Sequence, residues 1–74
     1  MLSVIVIDDH PLVGNGIAMM VKDVSYLQIV SICKNGKEGL EYLENNKPDV
    51  ILLDISLPDI DGLELCALIR KQNK

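Results

Sequence analysis

A chain of 74 residues with 7 basic and 11 acidic side chains and a net charge of −4 holds one domain at most. Its 11 Leu, 9 Ile and 7 Val exclude intrinsic disorder, yet a domain near this size buries only about 60% of its unfolded surface, so the hydrophobicity is that of a larger core. The acidic balance, the lack of Trp and Phe and the presence of only two Tyr argue against a nucleic-acid surface, which needs clustered cations and stacking rings.

The chain opens on an unbroken β-branched run, Ser3–Ile7, followed by Leu12–Val24 at helical spacing. Leu12, Val13, Ile17, Met20, Val21 and Val24 are expected on its inner face, with Met19 and Met20 as core and neighbour. Leu27–Cys33 is a second strand whose partial alternation suits an edge. Asn35-Gly36 marks a turn. Lys37–Asn46 is a second helix with Leu40 and Leu43 inward and Lys37 and Glu41 spaced for an i,i+4 pair, ended by Lys47-Pro48. Asp49–Asp54 is the third strand and Leu57–Ile60 a loop. Asp61 is placed as the N-cap of a last helix running to about Lys71, with Glu64 at capping-box spacing. That helix carries two apolar stripes: Leu63, Cys66 and Ala67, and Leu65, Leu68 and Ile69.

Three strand–helix units imply a parallel sheet with right-handed crossovers. The pairing order does not follow from three strands alone; strand one, short and wholly apolar, is the best central candidate, and the expected order is then 2-1-3. Cys33 and Cys66 lack CxxC spacing and read as small apolar residues of a reducing compartment. The first apolar run is too short for a membrane span and lacks the flanks of a signal peptide, so the expected location is the cytoplasm, with no membrane partner.

The chemistry sits at the strand ends. Strand one runs into Asp8-Asp9 and strand three into Asp54. In an open parallel sheet the carboxyl ends of the strands border the ligand crevice, so order 2-1-3 brings the three acids together. Two unit charges ~5 Å apart repel by about 3 kcal/mol at an effective dielectric of ~20. Such a cluster takes up a proton or a cation, and oxygen donors beside phosphate chemistry suit Mg2+. His10 beside the acids can be read as a metal ligand or phosphocarrier, but in Asp-Asp-His-Pro it is read as a rim residue opening the loop into the first helix. Gly14 and Gly16 fit neither glycine-rich phosphate fingerprint, and Gly14 costs the helix about 1 kcal/mol relative to Ala. Ser56 has no base beside it and no nucleophile-elbow context.

Val-Ile-Asp-Asp-His-Pro-Leu-Val (residues 6–13), with Gly16-Ile17 following, resembles the opening of response-regulator receiver domains, especially the branch with a C-terminal helix-turn-helix DNA-binding domain. Asp49–Pro58, then Asp61-Gly62, resembles the family's phosphoacceptor segment, with Leu57 where Met is usual. Asn35–Leu40 is similar to its turn into the second helix. The resemblance implies a flavodoxin-like doubly wound α/β fold in a signalling module rather than an enzyme. Asp54 would accept a phosphoryl group from a sensor histidine kinase. Asp9 and Asp54 would bind Mg2+ directly, with the Ser56 carbonyl as third ligand and Asp8 acting through a metal-bound water. Pro58 would fix the turn. A carboxylate is a weak nucleophile, so transfer to it depends on positioning and charge neutralisation.

The family has five strand–helix units, with a Ser or Thr ending strand four and a Lys ending strand five. No residue here takes either role, and Lys71 and Lys74 follow the third helix at the wrong place. Residues 1–74 are therefore expected to be the N-terminal part of a receiver, truncated to three βα units, with DNA reached only through a separate output domain. Strand three would have an open edge, an aggregation template, and with the second stripe of the last helix would favour self-association. Two other readings stand beside this one: a degenerate receiver half serving only as a dimerisation or interaction module, and a small nucleotide or flavin binder, which the missing glycine loop and aromatics disfavour.

Overall fold

A computed structural model describes residues Met1–Gln72; Lys74 lies outside the described residues. Three strands, β1 (Leu2–Ile7), β2 (Leu27–Cys33) and β3 (Val50–Leu53), alternate with three helices, α1 (Pro11–Lys22), α2 (Gly36–Asn45) and α3 (Gly62–Gln72). The sheet is parallel throughout, in the order β2-β1-β3. The apolar centre of β1 explains its place: Val4, Ile5, Val6 and Ile7 are all buried, as a strand covered on both faces must be. β2 carries one extra residue opposite the Val4/Ile5 step, a bulge that suits an edge strand.

The core lies on one face of the sheet. Ile5, Ile7 and Cys33 pack there with Leu43 of α2, Leu57, and Leu65 and Ile69 of α3, and Leu40, Ile51 and Leu53 lie against them. Burial pushes the Cys33 thiol up in pKa, which keeps it the inert apolar residue expected, while Cys66 is half-buried. On the opposite face α1 lies against β2, with Gly14 close to Ile32: a Cβ at Gly14 would stand 2.9 Å from Ile32 Cγ2. The glycine that weakens the helix in isolation thus sets how closely the helix approaches the strand.

Several expectations need correction. α1 ends at Lys22, with the Val24 N–H donating to the Val21 carbonyl at 2.8 Å. Its buried side is Gly14 flanked by half-buried Ile17, Ala18 and Val21. Leu12, Met19 and Met20 are 85%, 73% and 76% exposed, and Val13 is exposed too. α1 is apolar nearly all round, so spacing alone cannot select its inner side. The pair expected between Lys37 and Glu41 is not among the ion pairs of the described residues. Instead Asn35 caps α2, accepting the Glu38 N–H at 2.8 Å. β3 is shorter than expected, because Asp49 precedes it as a clasp: its carboxylate accepts the Ser3 N–H at 2.7 Å and its own N–H donates to the Ser3 carbonyl at 2.9 Å. Of the two stripes on α3, Leu65 and Ile69 are buried, whereas Leu63, Ala67 and Leu68 are exposed. Among the described residues the outer edge of β3 pairs with no strand.

Candidate functional site

Two ladder bonds carry the sheet just past its strands and set the acids side by side. The Asp8 N–H donates to the Cys33 carbonyl and the Asp54 N–H to the Ile7 carbonyl, both at 2.9 Å. β1 and β3 are in register at Ile7–Leu53, so Asp8 and Asp54 occupy adjoining positions at the carboxyl end of the sheet.

Each side chain is then aimed by a local turn. Asp54 Oδ1 accepts the Ser56 N–H at 3.0 Å, and Asp8 Oδ1 accepts the His10 N–H at 2.8 Å. Aspartate bonding to the backbone two residues on is a turn-forming preference of this side chain. Asp61 repeats it, accepting the Leu63 N–H at 2.7 Å, while its carbonyl accepts the Leu65 N–H at 2.9 Å. Asp61 thus begins α3 as expected, although its oxygen serves Leu63 rather than Glu64.

The segment between Asp54 and α3 is tied down at several points. Ser56 and Asp61 form an antiparallel bridge, and the Gly62 N–H donates to the Ile55 carbonyl at 2.8 Å. A Cβ at Gly62 would stand 2.6 Å from both the Asp54 carbonyl oxygen and Ile55 Cα, so only glycine lets α3 start this close to the Asp54 backbone. Asp59 reaches across to α2, where Oδ1 accepts the Gly36 N–H and Oδ2 the Lys37 N–H, both at 2.9 Å. The Gly36 hydrogen bond, working against some desolvation and joined by that of Lys37, holds Asp59 below its ordinary value of 3.8.

Asp8, Asp9, His10 and Asp54 each offer one donor atom, and the four lie within 4.8 Å of one another. Asp9 Oδ1 and Asp54 Oδ2 are buried and have no hydrogen-bond partner among the described residues. His10, taken from the sequence as a rim residue, is exposed but turns its Nδ1 inward, 2.9 Å from Asp8 Oδ1, 3.1 Å from Asp9 Oδ1 and 3.7 Å from Asp54 Oδ2. The hydrogen bond to Asp8, then the charges of Asp9, Asp8 and Asp54, outweigh slight desolvation and raise the His10 pKa above its ordinary 6.5. Desolvation pushes the Asp8 carboxyl up, but the hydrogen bonds and charge of His10 take it below 3.8. The signal for this placement was present in Asp8-Asp9-His10-Pro11: an aspartate two residues ahead of His10, and a proline after it opening α1. Beside the cluster a cleft of about 240 Å³ is lined by Asp8, Asp9, Pro11, Asn15, Ile32 and Lys34.

The donor set fits a divalent cation. Carboxylate oxygens are the ligands such ions take, and two buried oxygens without a partner are costly to leave unpaired. The glycines recalling a phosphate loop lie inside α1, where they form no such loop.

The chain matches the family described as response regulator receiver domain over residues 4–74. It belongs to that family. Response regulator GacA of Pseudomonas syringae pv. syringae is 45% identical over 64 residues, covering 86% of this chain but 30% of that protein. Among solved structures, the response regulator domain of Thermotoga maritima CheB superposes with a TM-score of 0.92 at 30% identity, covering 99% of this chain and 55% of that one. RcsB from Salmonella enterica serovar Typhimurium, solved bound to promoter rprA in the presence of the phosphomimetic BeF3−, gives a TM-score of 0.90 at 26% identity, covering 99% and 62%. The receiver fold here is the flavodoxin-like one, with its three parallel strands in order 2-1-3. Receiver domains are generally signalling modules that interact with histidine kinases and bind Mg2+ at an acidic cluster, and this chain carries an Asp-rich group. No helix of the described residues is long and apolar enough to cross a membrane.

Proposed function

We propose that this receiver accepts a phosphoryl group on Asp54 from a sensor histidine kinase in the cytoplasm. As the N-terminal part of a longer regulator, it would control transcription through a DNA-binding output domain. The observation that carries the reading is the convergence of Asp8, Asp9 and Asp54, with Asp54 Oδ2 buried and unpartnered. Asp9, Asp54 and the Ser56 carbonyl would hold Mg2+, with Asp8 bonded through a water. The ion, when bound, would neutralise the carboxylates and the incoming phosphoryl oxygens. Asp54 supplies the attacking oxygen: the new P–O bond forms on its carboxylate as the donor's bond to phosphorus breaks. The hydrogen bond from the Ser56 N–H to Oδ1 fixes the carboxylate's orientation, and Pro58 stiffens the loop that holds Ser56.

Incubation with Mg2+ and acetyl phosphate is expected to add one phosphoryl group, seen by intact-mass spectrometry and mapped to Asp54. Labelling of Asp54→Asn at the wild-type level would overturn the assignment.

A second reading is favoured by the β3 edge, which pairs with no strand among the described residues, and by the exposed Leu63 and Leu68: an interaction module that self-associates through that edge and α3. It predicts a dimer in sedimentation that is indifferent to Mg2+ and to Asp54→Asn.

A further inference from the structure

We propose that His10 is a nitrogen donor to the cation site, so that this receiver discriminates in favour of a borderline transition ion of the Zn2+ or Ni2+ class over Mg2+. The inference rests on the cluster binding a cation, as in the reading above, and adds the residue that tunes which one.

Around an octahedral ion with ligands at about 2.1 Å, neighbouring donors stand about 3 Å apart and opposite donors about 4.2 Å apart. His10 Nδ1 lies 2.9 Å from Asp8 Oδ1 and 3.1 Å from Asp9 Oδ1, the separations of neighbouring donors, and 3.7 Å from Asp54 Oδ2, between the two limits. All four donor atoms fall within 4.8 Å, close to the width of one coordination sphere. The two carboxylate oxygens that His10 Nδ1 faces on Asp9 and Asp54, Oδ1 and Oδ2 respectively, are buried and have no hydrogen-bond partner among the described residues. The imidazole is held over them by the backbone: the His10 N–H is bonded to Asp8 Oδ1 at 2.8 Å, and Pro11 fixes the next φ. A side chain 63% exposed has room to withdraw by the fraction of an ångström that a shared ion requires.

The chemistry of the donor set then changes. Carboxylate and water alone suit Mg2+, whereas imidazole suits Zn2+, Fe2+ and Ni2+. Most nitrogen- and oxygen-donor sites already rank Ni2+ highly, so the diagnostic quantity is how far the preference falls when the nitrogen is removed.

Isothermal titration of the full chain with Ni2+ and, separately, Mg2+ measures it. In His10→Ala and His10→Gln the ratio of Ni2+ to Mg2+ affinity is expected to fall about tenfold or more. Histidine 1H–15N spectra of the wild type provide a readout that needs no substitution: added Ni2+ should broaden Nδ1 before Nε2. An unaltered affinity ratio in both variants, or Nε2 broadened first, would overturn the proposal. A rise in affinity for both ions on losing His10 would also overturn it, making the ring a plug rather than a ligand. Failure of wild-type Asp54 to label with acetyl phosphate and Mg2+, with the Ni2+ discrimination intact, would instead sink the phosphoacceptor reading and leave the His10 ligand standing.

Discussion

On one face of the sheet, α2 and α3 close over Ile5, Ile7, Cys33 and Leu57 and bury Leu43, Leu65 and Ile69. On the other, α1 alone lies over β2, while Leu12, Met19 and Met20 of the helix and Ile32 and Leu52 of the sheet remain exposed. The two faces have similar apolar content and unequal cover. A helix stabilises this sheet only where its apolar stripe finds a partner. The same chain therefore contains one packed core under α2 and α3 and a second face where cover reaches Val4 and Val6 of the central strand but not Ile32 or Leu52, and the loop leading from Asp54 into α3 is anchored to the packed side.

Paired substitutions across the two faces test this contrast. Leu65 is fully buried, so Leu65→Ala is expected to cost about 2–5 kcal/mol, read as a lowered urea midpoint. Met20→Ala on α1 should stay within about 0.5 kcal/mol. Equal losses would mean that α1 packs as tightly as α3.

Glycine to alanine makes the same comparison with a smaller effect. At Gly62 the new Cβ meets backbone atoms of Asp54 and Ile55 that cannot turn aside, for a cost of about 1–3 kcal/mol and a weakened cation site. At Gly14 it meets a side-chain atom rather than backbone, Cγ2 of the exposed Ile32 at 2.9 Å, so a small shift of α1 away from the strand relieves the contact. The helix-propensity gain of about 1 kcal/mol offsets that adjustment, so the midpoint of Gly14→Ala should move by less than about 1 kcal/mol. A Gly14→Ala protein as damaged as Gly62→Ala would show that the α1 face is rigid.

The smallest expected effect is a pH dependence on the packed side. The folded-state pKa of Asp59 lies below its ordinary 3.8, so its ionised carboxylate contributes stability that is present above about pH 4 and lost as pH falls through the folded value. Asp59→Asn should be less stable than wild type at neutral pH, and the two urea midpoints should converge below pH 4. A gap that persists in acid would place the effect elsewhere than on the carboxylate clasp to Gly36 and Lys37.

Much of this was legible from the residues. Three short apolar runs, the first of them β-branched and the second partly alternating, marked strands whose ends lie within a residue or two of those observed. The wholly apolar first run marked the central strand, and acids at two strand ends marked the cluster. Asp61 was legible as a cap because a polar oxygen ahead of an apolar run has a local use. The inner side of α1 was not, since a helix with little polar contrast carries no directional signal. Nor was Asp59, whose partners lie 22 and 23 residues away. His10 lies at the rim ahead of α1 as read; what the residues did not show is the direction of its ring, which the turn at Asp8 sets.

By itself, then, the order of residues determined the elements, the parallel sheet and the presence of three carboxylates at its carboxyl end, because strand propensity, helical spacing and turn chemistry act over a few neighbouring positions. Tertiary structure alone decided which face of α1 is buried, how Asp59 ties the loop after Asp54 to α2, and that Asp54 stands beside the Asp8-Asp9-His10 turn. Those outcomes depend on segments that become neighbours only once β1 is flanked by both other strands.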